Sequence, residues 1–184
     1  MSITLHRSYA IWFVLTLVLL GGAWVAGCGE SSSGKPKAPQ TVELEIVDGS
    51  GLQKVLDSQR GSVILLDVWA TWCAPCVESW TKMLKLRDKY SDSGLSIVAL
   101  SVDSPDKADV VTGFLQRNGV PGECLLLDVD KFDEFVDQTG DEWRGGVPTL
   151  LLYDEAGQLQ YELIGADGAE DVEEKIRALL DSRR

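Results

Sequence analysis

Two cysteines separated by two residues, Cys73-Ala74-Pro75-Cys76, are the side chains in this chain best suited to chemistry. Their spacing lets the two sulfurs close a disulfide, and their flanks set how reactive the pair should be. Upstream lies Val63-Ile-Leu-Leu-Asp-Val-Trp69, apolar except for Asp67, which suits a strand covered on both faces. Downstream lies a helical pattern. Pro75 fits the first turn of that helix, where its missing N–H costs nothing and its fixed φ helps. Cys73 then falls at the helix N-terminus and Cys76 one turn in. Unpaired N–H groups and the macrodipole at that end stabilise an anion. A thiol held there loses its proton more readily, and the thiolate is the reactive form. The outer sulfur, on Cys73, is the expected nucleophile, and the inner one, on Cys76, is expected to resolve the mixed disulfide. Two bland alternatives are a structural disulfide and half of a zinc site. A zinc site needs about four ligands, yet the chain has no second cysteine pair and its one His is His6. A c-type haem attachment fails because Val77 stands where a His is required.

The longer string Trp69-Ala-Thr-Trp-Cys-Ala-Pro-Cys76, entered from an apolar strand and followed by an amphipathic helix, resembles the active site of the thioredoxin superfamily. It is most similar to the membrane-tethered TlpA/ResA-type thiol–disulfide oxidoreductases. A second stretch, Gly145-Gly-Val-Pro-Thr149, opens another apolar strand. By resemblance Pro148 is the cis-proline that packs against the two sulfurs, and the backbone of Val147 pairs with an extended substrate segment. The glycines give the backbone freedom for that approach. Trp72, Val147 and Pro148 are thus the expected substrate-binding residues. Plain thioredoxin carries a buried Asp at the offset of Asp67 and uses it to assist proton transfer with the inner thiol. Burying a carboxylate is costly and favours its neutral form, so Asp67 is expected to have a raised pKa and to deprotonate Cys76. The alternative is a carboxylate turned outward at a strand end. One departure limits the resemblance. The TlpA/ResA branch usually has Glu three residues after the inner cysteine, where this chain has Ser79. Glu78 comes one residue early, about 100° away around the helix, so that role is not carried over.

The start of the chain sets the expected compartment. Arg7, an apolar run from Ala10 to Leu20, and the small residues before Cys28 resemble a bacterial lipoprotein signal. Residues 1–27 are then the signal peptide, and Cys28 is the lipidated N-terminus. An uncleaved transmembrane anchor and an ordinary secretory signal are the alternatives, and all three place the rest outside the cytoplasm. Residues 28–41 read as a linker, with a flexible Ser31–Gly34 and extended prolines at Pro36 and Pro39. Residues 42–184 are long enough for one domain with a real core. The formal net charge of −12 repels nucleic acid and excludes that partner class. Cys124, in Glu123-Cys-Leu-Leu-Leu-Asp128, reads as a small buried hydrophobe. The other reading makes it an extra redox partner.

These residues need a scaffold, and the pattern supplies one. Strands are expected at Val42–Val47, Val63–Trp69, Leu95–Val102, Cys124–Leu127, Leu150–Tyr153 and Gln158–Ile164. Helices are expected around Leu52–Leu56 and from Cys73 to about Tyr90, the latter with Val77, Trp80, Leu84 and Arg87 along one face and Met83, Leu86 and Tyr90 beside them. A third should start at Ser104-Pro105 as N-cap and first residue and end at Asn118-Gly119. A short one is expected around Phe132–Val136, and a last one carries Val172, Ile176, Leu179 and Leu180. The fold class is α/β, a thioredoxin-like mixed sheet with helices on both faces. An extra helix–strand–helix region lies between the cysteine helix and the cis-proline strand. The activity this implies is reduction of protein disulfides without metal or organic cofactor. Its partners are protein thiols, a membrane electron donor, and the membrane itself through the lipid anchor. Alternatives are a disulfide oxidase or isomerase, a peroxiredoxin-like peroxidase, a copper carrier and a non-catalytic lipoprotein. No Pro-x-x-x-Thr pattern precedes Cys73, which weighs against the peroxidase. The cysteine spacing and the lack of a distal His weigh against copper delivery.

Overall fold

Seven residues from Val63 to Trp69 are all buried, and the rest of the sheet is arranged around them. The computed structural model describes residues 42–128, 146–165 and 168–182. The chain divides into two compact units, Met1–Pro36 and Lys37–Arg184, and every described residue belongs to the second. In chain order the elements are β1 (Glu45–Val47), α1 (Gly49–Ser58), β2 (Val63–Trp69), α2 (Ala74–Tyr90), β3 (Leu95–Ser101), α3 (Ala108–Asn118), β4 (Glu123–Leu127), β5 (Thr149–Tyr153), β6 (Leu159–Ile164) and α4 (Gly168–Asp181).

The six strands form one sheet in the order β1-β4-β3-β2-β5-β6. The pairings from β1 to β2 are parallel, while β5 runs antiparallel to β2 and β6 antiparallel to β5. The register aligns Trp69 with Ser101 and Val68 with Thr149. The C-terminal ends of β2 and β3 and the N-terminal end of β5 therefore meet at one edge of the sheet. In sheets of this kind ligands are handled at the carboxyl ends of the parallel strands.

Alternation along β2 divides the core. Ile64, Leu66 and Val68 pack with Leu52 and Leu56 of α1 on one face. Val63 and Leu65 pack with Met83, Leu86 and Tyr90 of α2 and with Val172 and Ile176 of α4 on the other. Trp69 joins Cys73, Cys76 and Trp80 of the α2 region and Val111, Phe114 and Leu115 of α3 on that second face. Each fully buried aliphatic side chain of β2 contributes about 1.5–3 kcal/mol. The fold is thioredoxin-like, with a mixed sheet covered on both faces.

Several boundaries differ from expectation for identifiable reasons. Strand β1 starts at Glu45, not Val42, because only Glu45 to Val47 have partners on β4; Val42 and Leu44 still pack against the core. The buried stripe of α2 is Cys76, Trp80, Met83, Leu86 and Tyr90. Val77 is exposed, because the inner cysteine rather than its neighbour takes the core-facing position. Ser104-Pro105 opens a 3₁₀ turn, with the Lys107 N–H bonded to the Ser104 carbonyl at 2.8 Å. Helix α3 proper starts at Ala108, and the Ser104 side chain makes no capping bond to the backbone. Between α2 and β5 the structure places β3, α3 and β4. The helix expected around Phe132–Val136 and the residue Gly145 lie outside the described residues, as do the signal, Cys28 and the linker. No helix among the described residues is long and apolar enough to cross a membrane.

Candidate active site

The site begins where β2 ends. After the buried Trp69 and Ala70 the chain turns, and the Cys73 N–H closes that turn on the Ala70 carbonyl at 3.1 Å. Trp72, at the outer corner, is 67% exposed. Cys73 is the N-cap of α2, in extended conformation, and Pro75 lies in the first turn. The Cys73 sulfur accepts from the Cys76 N–H at 3.3 Å, and the Cys73 carbonyl accepts the first helical bond from Val77 at 3.1 Å. The two cysteines form a disulfide, with sulfurs 2.01 Å apart and Cα atoms 5.3 Å apart. Cys73 is 5% exposed and Cys76 2%. Both residues are buried, and Cys73, at the N-cap, is the one whose thiolate the helix terminus would stabilise.

Behind the disulfide lies an aromatic wedge. Trp69 and Trp80 have ring centroids 4.4 Å apart, and Phe114 sits 5.0 and 5.1 Å from them. Trp80 also donates its indole N–H to the Gly119 carbonyl at 3.1 Å, tying α2 to the loop after α3. These rings are core, and they hold the start of α2 against the sheet.

Strand β5 brings the second motif. The Val147–Pro148 peptide bond is cis. Pro148 is buried, and Val147 packs against the cluster that contains Cys73 and Cys76. The Pro148 carbonyl accepts from the Gly165 N–H at 2.8 Å, and the Thr149 hydroxyl donates to the Gly146 carbonyl at 2.8 Å. Trp72, Cys73, Val147 and Pro148 thus come from two chain segments to one edge of the sheet.

Asp67 points to the face that α2 covers. It pairs in register with Ala99, which pairs with Cys124, and Ala99 and Cys124 lie in the same cluster as the two active-site cysteines. Asp67 is 3% exposed, and burial pushes its pKa up to about 7. Cys124 is a free, buried thiol. Burial, and then the charges of Asp67 and Glu123, push its pKa up to about 12, so it stays a thiol. Glu78 is exposed on α2, whereas the Ser79 hydroxyl folds back on the Cys76 carbonyl at 2.9 Å. Among the described residues no group of three or more His, Cys, Asp or Glu side chains could hold a metal ion.

The structure adds a residue the sequence pattern does not single out. Asp103, 2% exposed, accepts from the Thr71 N–H at 2.8 Å and from the Thr71 hydroxyl at 2.6 Å. It also accepts from the Ser101 hydroxyl at 2.7 Å. The alignment of Trp69 with Ser101 sets Thr71 beside Asp103, each two residues beyond its strand. That pairing is the signal that could have found it. It becomes usable only once β2 and β3 are known to be parallel neighbours.

Known proteins similar to this chain carry thiol–disulfide or thioredoxin-like names. Thiol-disulfide oxidoreductase ResA of Bacillus anthracis is 27% identical over 183 residues, covering 95% of this chain and 99% of that protein. Thioredoxin-like protein YneN of Bacillus subtilis is 28% identical over 144 residues, covering 78% of this chain and 80% of YneN. Among solved structures, a Chlorobium tepidum protein assigned as the thiol:disulfide interchange protein DsbE superposes with a TM-score of 0.56 at 29% identity. That match covers 68% of this chain and 84% of the other. The family model described as Redoxin matches residues 33–180, so this chain, with its cysteine pair at the helix start, belongs to the Redoxin family.

Proposed function

We propose that this chain is a thiol–disulfide oxidoreductase that reduces disulfides of other proteins outside the cytoplasm. The observation that carries the reading is the Cys73–Cys76 disulfide at the N-terminus of α2, with the cis Val147–Pro148 bond brought to the same cluster. The names of the relatives, ResA above all, support it. In the reduced enzyme the Cys73 thiolate attacks one sulfur of a substrate disulfide. That S–S bond breaks, one substrate thiolate leaves, and a mixed disulfide forms. Asp67 takes the proton of Cys76, and the Cys76 thiolate attacks the Cys73 sulfur. The second substrate thiolate leaves and is protonated. Two electrons have passed to the substrate, and the enzyme is left as the Cys73–Cys76 disulfide. A dithiol donor at the membrane must return two electrons and two protons for the next turnover. Trp72 offers an exposed apolar surface to the substrate, and the backbone at Val147 pairs with its extended segment.

The anchor belongs to the same proposal. The small residues ahead of Cys28 at the end of an apolar run support cleavage and lipidation there, and the proline-containing stretch to residue 41 supports a tether. The enzymatic reading is tested with Cys76→Ser, which attacks but does not resolve. Mixed with a disulfide-bonded protein such as insulin, it is expected to accumulate a covalent adduct mapped by mass to Cys73, while Cys73→Ser forms none. No adduct at Cys73 together with no insulin reduction by the unaltered protein would overturn the reading.

A further inference from the structure

We propose that Asp103 is a positioning residue that clamps the turn bearing Trp72 and Cys73 through its bonds to Thr71. This inference rests on the oxidoreductase reading and deepens it. The Ala70–Cys73 turn links a buried strand to a buried helix start, and its corner residues set where the Cys73 sulfur lies relative to the first N–H groups of α2. Thr71 follows Ala70 in that turn. Its backbone N–H and its hydroxyl both donate to Asp103, one to each carboxylate oxygen. Two bonds to one residue fix its backbone and its side chain together. The clamp is itself anchored, because the Ser101 hydroxyl donates to Asp103 Oδ2 at 2.7 Å and the Asp103 N–H donates back to Ser101 Oγ at 3.1 Å. The Val102 N–H reaches the Trp69 carbonyl at 2.9 Å, which extends the β2–β3 pairing one step toward the site. Asp103 does not touch the sulfurs. It acts through Thr71 and the turn, where a carboxylate accepting several hydrogen bonds in a buried position is geometrically stiff.

Positioning and simple charge act on the Cys73 thiol with opposite signs. Removing a nearby negative charge should by itself make the Cys73 thiol more acidic. Loosening the turn lets the sulfur drift from the helix terminus and should make it less acidic. Among the described residues, the titratable groups nearest the site are Asp67 of β2, Cys76 and the exposed Glu78 of α2, and Cys124 and the exposed Glu123 of β4, besides Asp103 itself, and the variants leave all but Asp103 in place. The full chain, purified in detergent and reduced, is alkylated with iodoacetamide across pH, and modification of Cys73 is read by mass. Asp103→Asn and Thr71→Val are each expected to move the Cys73 profile to higher pH and to slow alkylation at pH 7 by about three- to tenfold, a shift of up to about one unit. Thr71→Ser, which keeps the hydroxyl, is expected to stay within about twofold of the parent, on the same conversion. An unchanged or lower pH midpoint in Asp103→Asn and Thr71→Val, whatever happens to their melting temperatures, overturns the proposal and leaves a structural contact. If Asp103→Asn does not fold, Thr71→Val decides alone. If the clamp variants shift the profile but the unaltered protein reduces no protein disulfide, the clamp stands and the oxidoreductase reading fails.

Discussion

Asp67 is where the energetics and the chemistry of the site meet. Its carboxyl is held at a pKa of about 7 by burial, against about 3.9 in an unfolded chain. The folded state therefore binds its proton more tightly than the unfolded state. That preference is fully present below about pH 4 and is lost as pH rises through about 7. Above pH 7 the buried charge destabilises the fold by up to roughly 4 kcal/mol. Asp67→Asn is expected to raise the melting temperature markedly at pH 8 and hardly at all at pH 4, by calorimetry. In the same variant, resolution of the mixed disulfide at Cys76 should slow at least tenfold and lose its inflection near pH 7, in stopped-flow mixing. An unchanged resolution rate would remove Asp67 from the mechanism while leaving its stability effect in place. Asp67 was legible because a lone acid in an apolar strand conflicts with its surroundings. Asp103 was not, because an acid just past a strand reads as an ordinary turn residue. Its partner Thr71 is 32 residues away.

At the scale of elements, the site depends on how α2 and the loop after α3 are fixed to the sheet. Trp80 and Arg87 of α2 both donate to carbonyls of that loop, at Gly119 and Val120. The loop then enters β4 through Gly122. A Cβ on Gly122 would come within 1.9 Å of the Ile97 carbonyl oxygen on β3 and 2.7 Å of its carbon. Backbone cannot swing aside as a side chain can. Gly122→Ala is therefore expected to cost about 3 kcal/mol, the upper end of overpacking costs, in denaturant unfolding. A loss below about 1 kcal/mol would show that β4 shifts without resistance. Element types were legible from apolar periodicity and from Pro and Gly punctuation. Their edges were not, since the length of β1 and the 3₁₀ turn at Pro105–Lys107 follow from partners the local pattern does not contain. The exposure of Val77 has the same origin: neighbouring apolar residues compete for one inward position, and tertiary packing awards it to Cys76.

For the whole molecule, charge and topology decide what the site meets. A net charge of −12 favours encounter with disulfides that carry basic neighbours. A cationic disulfide peptide is expected to be reduced faster than an anionic one of the same length at low salt, and the gap should narrow as added salt shortens the screening length to about 3 Å at 1 M. Equal rates at low salt would mean that the site is screened from the overall field. The thioredoxin-like class was legible because two separate motifs, Trp69–Cys76 and Gly145–Thr149, both resemble that superfamily's active site, and the apolar pattern around them alternates strands with helices. The direction of electron flow was not, because it depends on the relative stability of dithiol and disulfide rather than on any residue type. The reduction potential of the Cys73–Cys76 couple, equilibrated in defined thiol buffers and read by alkylation and mass, decides whether this site gives electrons or takes them. A reductase predicts a value near the thioredoxin end, about −270 mV, and a value near the DsbA end, about −120 mV, would contradict it.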